Sequence, residues 1–416
     1  MSATTVNTTT EKPKYALKDS FRHWWNKSNL KEAEHNVLSL LPFYPESDGK
    51  RVSQIFDVDI GSNNKIHEFN IKNITPTDNK EQHVVLIHGY GAALGFFYKN
   101  FDGLTQRPGV NLHALDLLGY GLSSRPKLPH FKKVSKEDTL KVEDFFIESV
   151  EEWRKARNID KFLLVGHSLG GYLSSLYALK YPEHVDQLVL VSPVGVERSI
   201  YDLSSSANSN STRSNEELVE GPDIEQEVGA HHHDTDSPVH QTKKSSSVHV
   251  PDANGYVARI PNYPKYLVYF WENNFSPFSF IRLLGPIGPT MTSRWSFRRF
   301  GHLENYSEIM KLHVYSYNTF VAKGSGEYAL TRILAPGALA RLPLLSRLPQ
   351  GLKVNSLWLY GDVDWMSKEA GSTIVGQINS HGKVKAEYQV LKNAGHHVYL
   401  DNPEDFKDSI FKFFGW

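Results

Sequence analysis

Residues 166–170 read Gly-His-Ser-Leu-Gly and combine a nucleophile with a backbone that exposes it. An apolar run at residues 162–165 precedes this segment, and a helical pattern at residues 172–181 follows it. A strand-to-helix turn this sharp strains the backbone at Ser168, and side chains at the two glycine positions would clash. The next amide, from Leu169, stands at a helix N-terminus, where it stabilises negative charge. The pattern predicts Ser168 as a nucleophile; the alternative is a serine in an ordinary glycine-rich turn.

A serine nucleophile needs a general base, and the base needs a carboxylate that orients it. Where the serine sits on such a turn, the chain order is serine, acid, histidine, and the partners follow later strands of the sheet. Residues 361–366 read Gly-Asp-Val-Asp-Trp-Met after one predicted strand, and residues 393–397 read Asn-Ala-Gly-His-His after the next. Both partners therefore occur where the chain order requires them.

Each of these two segments offers two candidates. Asp364 is preferred over Asp362 because the acid comes after a short turn beyond the end of the strand. His396 is preferred over His397 because it directly follows a glycine at the tip of the loop. The other member of each pair is assigned a structural role.

A second oxyanion donor is expected from the loop after an earlier strand. Residues 84–87 form that strand, and residues 88–91 read His-Gly-Tyr-Gly. The glycines let the backbone approach a substrate and turn an amide inward, which we assign to Tyr90. The predicted chemistry is acyl transfer: the serine attacks an ester carbonyl, the histidine takes the proton, and the amides of Tyr90 and Leu169 hold the oxyanion.

The elements that must position these groups alternate between strand and helix. The predicted strands are residues 56–60, 65–71, 84–87, 112–117, 162–165, 188–191, 356–360 and 387–391. Apolar stripes at helical spacing occur at residues 142–153 and 406–414. Uninterrupted apolar strands alternating with helices predict an α/β fold with a mostly parallel sheet and helices on both faces.

The N-terminal region carries an aromatic, amphipathic pattern. Residues 1–15 are predicted to be disordered, and Ser28 is a candidate cap for a second helix that begins near residue 30. The apolar positions of the first helix are Leu17, Phe21, Trp24 and Trp25. In one interpretation Phe21, Trp24 and Trp25 contact a membrane interface, with nearby lysine and arginine at the headgroups. In the other, the same stripe packs on the protein's own body.

The chain between residues 193 and 352 interrupts the alternation. Residues 203–250 are polar and almost free of large apolar side chains, which predicts a disordered loop. The three histidines at residues 231–233 lie in this loop and are interpreted as part of a polar tract rather than a metal site. Residues 256–348 are aromatic and apolar, typical of a helical cap over an apolar pocket or of the core of a small subdomain.

These patterns divide the chain into an N-terminal tail with membrane-interacting helices (residues 1–50), a first core part (51–194), a cap insertion (195–352) and a second core part (353–416).

Of the 416 residues 40% are hydrophobic, the formal net charge is zero and there are no cysteines. The balance of charge gives no indication of nucleic-acid binding, and the lack of cysteine excludes disulfides and thiolate metal sites. We predict no metal and no cofactor. No apolar run reaches about 18 residues, so no transmembrane helix is predicted, and no secretory signal is expected.

With these residues in place, the chain resembles the α/β-hydrolase superfamily. More narrowly it is similar to a lipid-acting subfamily of fungal mitochondrial cardiolipin-specific deacylases, lysophosphatidic acid acyltransferases and the animal lipid-droplet lipase co-activator. The stretches that carry the resemblance are residues 30–34, 86–91, 166–171, 193–197, 284–288, 317–320, 325–329, 361–366 and 395–403. The resemblance implies a helical cap inserted before the acid-bearing strand. The co-activator is understood to lack the serine, so Ser168 implies an active enzyme.

The subfamily is associated with an H-x4-D acyltransferase signature, represented here by His396 and Asp401. Residues 401–404, Asp-Asn-Pro-Glu, also have the composition of a helix start, with a side-chain cap before a proline in the first turn. We prefer this capping interpretation, because the predicted serine, histidine and acid already account for His396.

The resemblance implies a phospholipid substrate, such as cardiolipin, hydrolysed at a peripheral membrane surface. It implies a mitochondrial location, with the cytoplasm or lipid droplets as alternatives. Arg294, Arg298 and Arg299 are candidate phosphate-binding groups; the alternative is a solvated helix face. The competing functions are an acyltransferase that uses acyl-CoA and lysophosphatidic acid, and a non-catalytic lipid-binding regulator of a lipase. The motifs do not distinguish hydrolysis from transfer.

Overall fold

The computed structural model describes residues 15–25, 29–128, 134–204, 250–252, 255–257, 263–301 and 303–416. Within those residues a central sheet contains eight strands in the spatial order β1-β2-β4-β3-β5-β6-β7-β8. The strands are β1 Arg51–Asp59, β2 Lys65–Asn73, β3 Gln82–Ile87, β4 Val110–Leu115, β5 Phe162–His167, β6 Val185–Val191, β7 Asn355–Gly361 and β8 Ala386–Leu391. Strand β2 pairs antiparallel with β1 and β4, and the remaining pairs are parallel. The predicted mostly parallel sheet is confirmed, and the eight predicted strands correspond to these elements.

Helices cover both faces of the sheet. Those of the N-terminal region and core are α1 Leu17–Trp25, α2 Leu30–Leu38, α3 Tyr98–Leu104, α4 Lys136–Ala156, α5 Leu169–Lys180, α12 Lys368–Ser380, α13 Val398–Asp401 and α14 Pro403–Phe414. Between β6 and β7 lie α6 Lys265–Glu272, α7 Pro277–Leu283, α8 Gly288–Arg299, α9 Tyr306–Val321, α10 Leu330–Ile333 and α11 Leu348–Gly351. Two short antiparallel pairs, Val250–Asp252 with Gly255–Val257 and Leu334–Ala335 with Leu339–Ala340, and several 3₁₀ helices of three or four residues are also present.

The central strands are buried on both faces, with successive side chains on opposite sides, whereas the edge strands β1 and β8 are partly exposed. On β3, Val84 and Leu86 belong to one apolar cluster, while Val85 and Ile87 belong to the other. A sheet covered on both faces explains why the strands read as unbroken apolar runs in the sequence.

Helix α2 is joined to the sheet by a buried polar cluster that the sequence did not indicate. Glu34 accepts a hydrogen bond from His67 Nε2 at 2.8 Å, and His67 Nδ1 lies 2.7 Å from Asp57. Glu34 also accepts a hydrogen bond from the Tyr315 hydroxyl on α9 at 3.2 Å. Glu34 is 1% exposed. Its carboxylate connects α2, the sheet and the cap through these buried hydrogen bonds.

Two expectations about the N-terminal region and the cap need comment. The cap of α2 is Asn29, whose side chain accepts a hydrogen bond from the Lys31 amide; the predicted cap, Ser28, lies outside the described residues. The predicted tail at residues 1–15 and the predicted loop at residues 203–250, with its three histidines, also lie almost wholly outside them. The division of the chain at residues 50, 194 and 352 stays a prediction.

Candidate active site

Ser168 occupies a strained turn between β5 and α5. Its φ of 53° and ψ of −116° lie in a region that residues with side chains rarely adopt. A Cβ at Gly166 would come within 2.5 Å of the Gly170 carbonyl oxygen, and one at Gly170 within 2.5 Å of the His88 carbonyl oxygen. Both glycines are therefore required by close backbone packing, as the sequence pattern predicted.

Three distant side chains form a hydrogen-bonded chain at the carboxyl ends of the strands. His396 Nε2 lies 3.0 Å from Ser168 Oγ, and His396 Nδ1 lies 3.1 Å from Asp364 Oδ1. A carboxylate only accepts hydrogen bonds, so Nδ1 carries the proton and Nε2 is left to accept one from the serine hydroxyl. This arrangement has the connectivity of a nucleophile, a general base and an orienting acid.

The two aspartates of the β7 loop have different environments. Asp364 is buried, at 7% exposure, and its Oδ1 also accepts a hydrogen bond from the Met366 amide at 3.0 Å. Burial opposes its charge, but the neighbouring His396 outweighs burial and lowers the pKa of Asp364. Asp362 is exposed and accepts a hydrogen bond from the Ala394 amide at 3.0 Å, which links the acid loop to the histidine loop.

The loop after β3 lies against the serine, as expected for an oxyanion donor. A Cβ at Gly89 would come within 2.9 Å of Ser168 Cβ, so the backbone next to the Tyr90 amide faces the serine at close range. The amide of Leu169 is the first of α5 and has no acceptor within the helix. The side chain of Tyr90 stacks on Phe278 of α7, with ring centroids 5.0 Å apart, so that the cap covers this loop.

The backbone around His396 is held at three successive residues. The Gly395 amide donates to Asp401 Oδ2 at 3.0 Å, the His396 carbonyl accepts from His167 Nε2 at 3.0 Å, and the His397 carbonyl accepts from Arg299 Nη2 at 3.3 Å. Burial lowers the pKa of His167 well below its usual value, so His167 is a neutral donor. Sequence analysis missed these roles of His167 on β5 and Arg299 in the cap. No local pattern indicates that either residue contacts the histidine loop.

Asp401 is hydrogen-bonded to the backbone of the histidine loop and not to the His396 ring, whose nitrogens are bonded to Ser168 and Asp364. Its Oδ1 accepts a hydrogen bond from Arg299 Nη1 at 2.6 Å, and its Oδ2 is taken by the Gly395 amide. The cap of α14 is the next residue, Asn402, whose side chain accepts from the Asp405 amide. The helix start that we predicted is present, but Asp401 is not its cap.

The three candidate phosphate-binding arginines are separated by the structure. Arg294 and Arg298 are exposed and lie four residues apart on α8. Arg299 points the other way and pairs with Asp401, with both side chains less than one fifth exposed. The predicted group of three therefore consists of two solvent-facing cations and one internal ion pair.

Helix α1 packs on the protein with one face and exposes the other, and the predicted membrane contact stays a prediction. Ser20 is fully buried, donates to the Pro286 carbonyl at 2.6 Å and accepts from the Thr290 amide, so one face of α1 packs on the cap. Phe21 and Trp25 on the opposite side are 51% and 68% exposed, whereas Trp24 is half-buried. The helix therefore packs on the protein and also presents an apolar row to its surroundings.

A model of the α/β-hydrolase fold family matches residues 82–403, and the chain belongs to this family. It is similar to a human protein named 1-acylglycerol-3-phosphate O-acyltransferase ABHD5, with 30% identity across 92% of this chain and 88% of that one. It is also similar to a probable 1-acylglycerol-3-phosphate O-acyltransferase of Oryza sativa subsp. japonica, with 35% identity. That match covers 79% of this chain and 66% of the rice protein.

Solved structures confirm the fold. The carboxylesterase CesB of Bacillus subtilis aligns over 95% of this chain and 98% of its own, with a TM-score of 0.53 and 16% identity. In the described part of the chain no helix is long and apolar enough to cross a membrane.

Proposed function

We propose that the protein is a serine-dependent acyl-ester hydrolase that acts on phospholipids, such as cardiolipin, at a membrane surface. The observation that carries this proposal is the hydrogen-bonded chain from Ser168 through His396 to Asp364. The three members of this chain come from separate segments, one before the cap insertion and two after it, and the fold brings them together. A lipase regulator without chemistry would have no need of this arrangement.

In the proposed reaction Ser168 Oγ attacks the ester carbonyl carbon while His396 Nε2 takes the hydroxyl proton. The amides of Leu169 and Tyr90 bind the oxygen that becomes negative, and each is worth about 3 kcal/mol of barrier. The protonated His396 then gives its proton to the leaving lysophospholipid oxygen as the carbon–oxygen bond breaks. Water attacks the acyl-serine with His396 again as base, which releases the fatty acid and restores the serine hydroxyl.

The cap supports a substrate with long acyl chains. Phe278 stacks between Tyr90 and Phe320, with ring centroids 5.0 and 4.9 Å away. Ser168 is only 6% exposed beneath this layer, so a lipid chain reaches the nucleophile when α7 moves aside. An apolar lid of this kind matches an acyl chain better than a polar substrate.

The outer surface supports contact with an anionic bilayer. One exposed apolar row is formed by Leu17, Phe21 and Trp25 of α1, and a second by Leu283, Ile287 and Met291 of the adjoining cap segment. Ser20 joins the two segments through Pro286. Exposed cations accompany the rows at Lys18, Arg22, Arg294 and Arg298. Apolar side chains with neighbouring cations are typical of helices that lie in the interface of anionic membranes.

An acyltransferase is the second candidate, favoured by the names of the human and rice relatives. In that reaction Ser168 attacks the thioester of acyl-CoA, the carbon–sulfur bond breaks and His396 protonates the departing CoA thiolate; the hydroxyl of a lysophosphatidic acid then replaces water as the acceptor and gives its proton to His396. The same serine, histidine and acid serve both reactions.

Purified protein incubated with labelled cardiolipin, and separately with lysophosphatidic acid and acyl-CoA, separates the candidates. We expect release of fatty acid from cardiolipin, and its loss in Ser168→Ala. Transfer without hydrolysis would favour the acyltransferase, and neither activity would overturn both. The mitochondrial peripheral-membrane location that accompanies a cardiolipin substrate is tested by imaging a fluorescent fusion.

A further inference from the structure

The ion pair between Arg299 and Asp401 joins the cap to the loop that carries the histidine. Arg299 is the last residue of α8, whereas Asp401 ends α13, directly after the loop. The two carboxylate oxygens of Asp401 have different partners, the Arg299 guanidinium and the Gly395 amide. Arg299 in turn donates to the His397 carbonyl. The pair therefore holds the backbone on both sides of His396.

We infer that Arg299 and Asp401 are positioning residues that hold His396 in line with Ser168 and couple its alignment to the closed cap. The inference rests on the proposed function only in so far as it concerns activity. We call the Arg299–Asp401 pair the latch, because it holds the histidine loop. Asp401 of the H-x4-D signature then belongs to the latch and does not act as a separate acyltransferase group.

Occupancy of the hydrogen-bonding atoms is the reason for this assignment. Both ring nitrogens of His396 are already engaged, by Ser168 and Asp364. Both oxygens of Asp401 are engaged by groups other than that ring. Each oxygen of Asp401 is thus bonded to a group that fixes the histidine loop or the cap, and neither is bonded to the His396 ring.

The energetics favour a positional role. Hydrogen bonds between charged groups are shorter and stronger than neutral ones, and this pair is largely shielded from water, at 16% and 18% side-chain exposure. Loss of the carboxylate would remove the acceptor of the Gly395 amide and the ionic partner of Arg299 at the same time, leaving the guanidinium only its bond to the His397 carbonyl. A displacement of about 1 Å at a reacting group is enough to cost about 100-fold in rate.

The test compares Asp401→Asn, Arg299→Gln, Arg299→Lys and the Asp401→Asn/Arg299→Gln double variant. Matched controls are Asp408→Asn and Lys412→Gln, both in exposed positions on α14. For the single charge-removing variants we expect kcat to fall about 10- to 100-fold with little change in KM, and hydrolysis and transfer to fall by the same factor. Arg299→Lys should retain more activity than Arg299→Gln, and the double variant should be no worse than Asp401→Asn alone.

A second readout does not depend on activity. Amide hydrogen exchange of residues 394–399 is measured in the Ser168→Ala background, with and without the latch substitutions. We expect faster exchange there in Asp401→Asn and Arg299→Gln, and no change in the controls. Unchanged exchange, or loss of transfer in Asp401→Asn with hydrolysis intact, would overturn the latch. If the wild-type protein has no activity that depends on Ser168, the proposed function fails, while the exchange experiment still decides the latch.

Discussion

Two buried histidines, His67 in the core and His313 in the cap, have pKa values shifted in opposite directions by their neighbours. His67 on β2 lies between two carboxylates, Glu34 and Asp57. Burial opposes its charge, but the hydrogen bond to Glu34 and the other acidic neighbours raise the pKa of His67 to about 10. His313 on α9 is bonded through Nδ1 to the Ser296 hydroxyl at 2.8 Å and lies against aromatic rings. Burial there lowers its pKa to about 3.

The comparison teaches that a buried histidine keeps its charge where carboxylates flank it and loses it where its neighbours are a hydroxyl and aromatic rings. The same contrast holds at the candidate active site, where His396 has a partner on each nitrogen, while the layer above it is built of stacked aromatic rings. Paired polar groups fix geometry, and apolar surfaces accommodate lipid. Substitutions among the paired groups should therefore change rate or stability, and substitutions at His313 and on α1 should change the pH response or lipid contact.

The largest effect is expected from Ser168→Ala. Removal of the hydroxyl leaves no nucleophile, so hydrolysis of a soluble short-chain ester and of cardiolipin should both fall by about 10⁴-fold or more. Steady-state kinetics with both substrates measure this. Ser346→Ala, at an exposed position, is the matched control, and equal loss in both variants would contradict the assignment of the nucleophile.

Asp364→Asn should follow, with a loss of about 10³- to 10⁴-fold in kcat. The amide no longer stabilises the protonated imidazole and favours the wrong tautomer of His396. Asp362→Asn is the control from the same loop and should lose less than about threefold, since its carboxylate faces a backbone amide. The reverse order of effects would assign the acid to Asp362.

Glu34→Ala tests the paired core away from the active site. It leaves the charged His67 without its buried acceptor, which should lower the free energy of unfolding by about 3 kcal/mol. Denaturant unfolding monitored by circular dichroism measures the change. Glu32→Ala on the exposed face of the same helix should change it by less than about 0.5 kcal/mol, and similar values for the two would mean that the cluster adds nothing.

The cap should respond to acid through His313. Its pKa in the folded protein is about 3, below the value near 6.5 of an unfolded chain. Between about pH 3 and 6.5 the unfolded chain therefore binds more protons at this residue than the folded protein does. The contribution of neutral, buried His313 to the free energy of unfolding is complete above about pH 6.5 and is lost as the pH falls towards 3. At pH 5 the loss is about 2 kcal/mol. His313→Gln should flatten this dependence in thermal unfolding, whereas His381→Gln, at an exposed position, should leave it unchanged.

The smallest effect is expected from Trp25→Ala on α1. The indole is 68% exposed, and its loss should weaken binding to cardiolipin-containing vesicles about tenfold, because less apolar surface enters the interface. Co-sedimentation measures binding, and the rate on a soluble ester should not change. Leu140→Ala, an exposed apolar residue on α4, is the control; equal weakening by both would show that α1 is not a specific contact.

The parts of the protein that follow from short segments were predictable. The strand at residues 162–165, the sharp turn at Ser168 and the helix after it are encoded within about twenty neighbouring residues, because the chain there alternates between apolar runs and glycines. The preference for Asp364 over Asp362 was based on the length of the turn after β7, which is also a local property. In the structure Asp364 is the aspartate that is hydrogen-bonded to His396. Boundaries were less accurate, since strand ends depend on pairing with neighbours; β1 begins at Arg51, before the predicted residue 56.

Contacts between distant segments were not predictable. The residues next to Glu34 in the sequence do not indicate its contacts with His67 and Tyr315. Those next to Arg299 do not indicate its ion pair with Asp401. The sequence also did not indicate that Arg299 faces Asp401 while Arg294 and Arg298 face solvent, because the packing of α8 decides the direction of each side chain. An arginine in a sequence is equally suited to a phosphate or to a carboxylate of its own chain.

The sequence by itself determined the order of the site segments along the chain: oxyanion loop, nucleophile turn, acid loop and histidine loop, each next to a strand end. Local sterics and apolar periodicity are sufficient for that, because they act between neighbours. Only the tertiary structure decided which side chains meet and which face outwards, from the latch on the histidine loop to the exposed row of α1. Those choices depend on free energies of packing and desolvation that are shared among segments hundreds of residues apart.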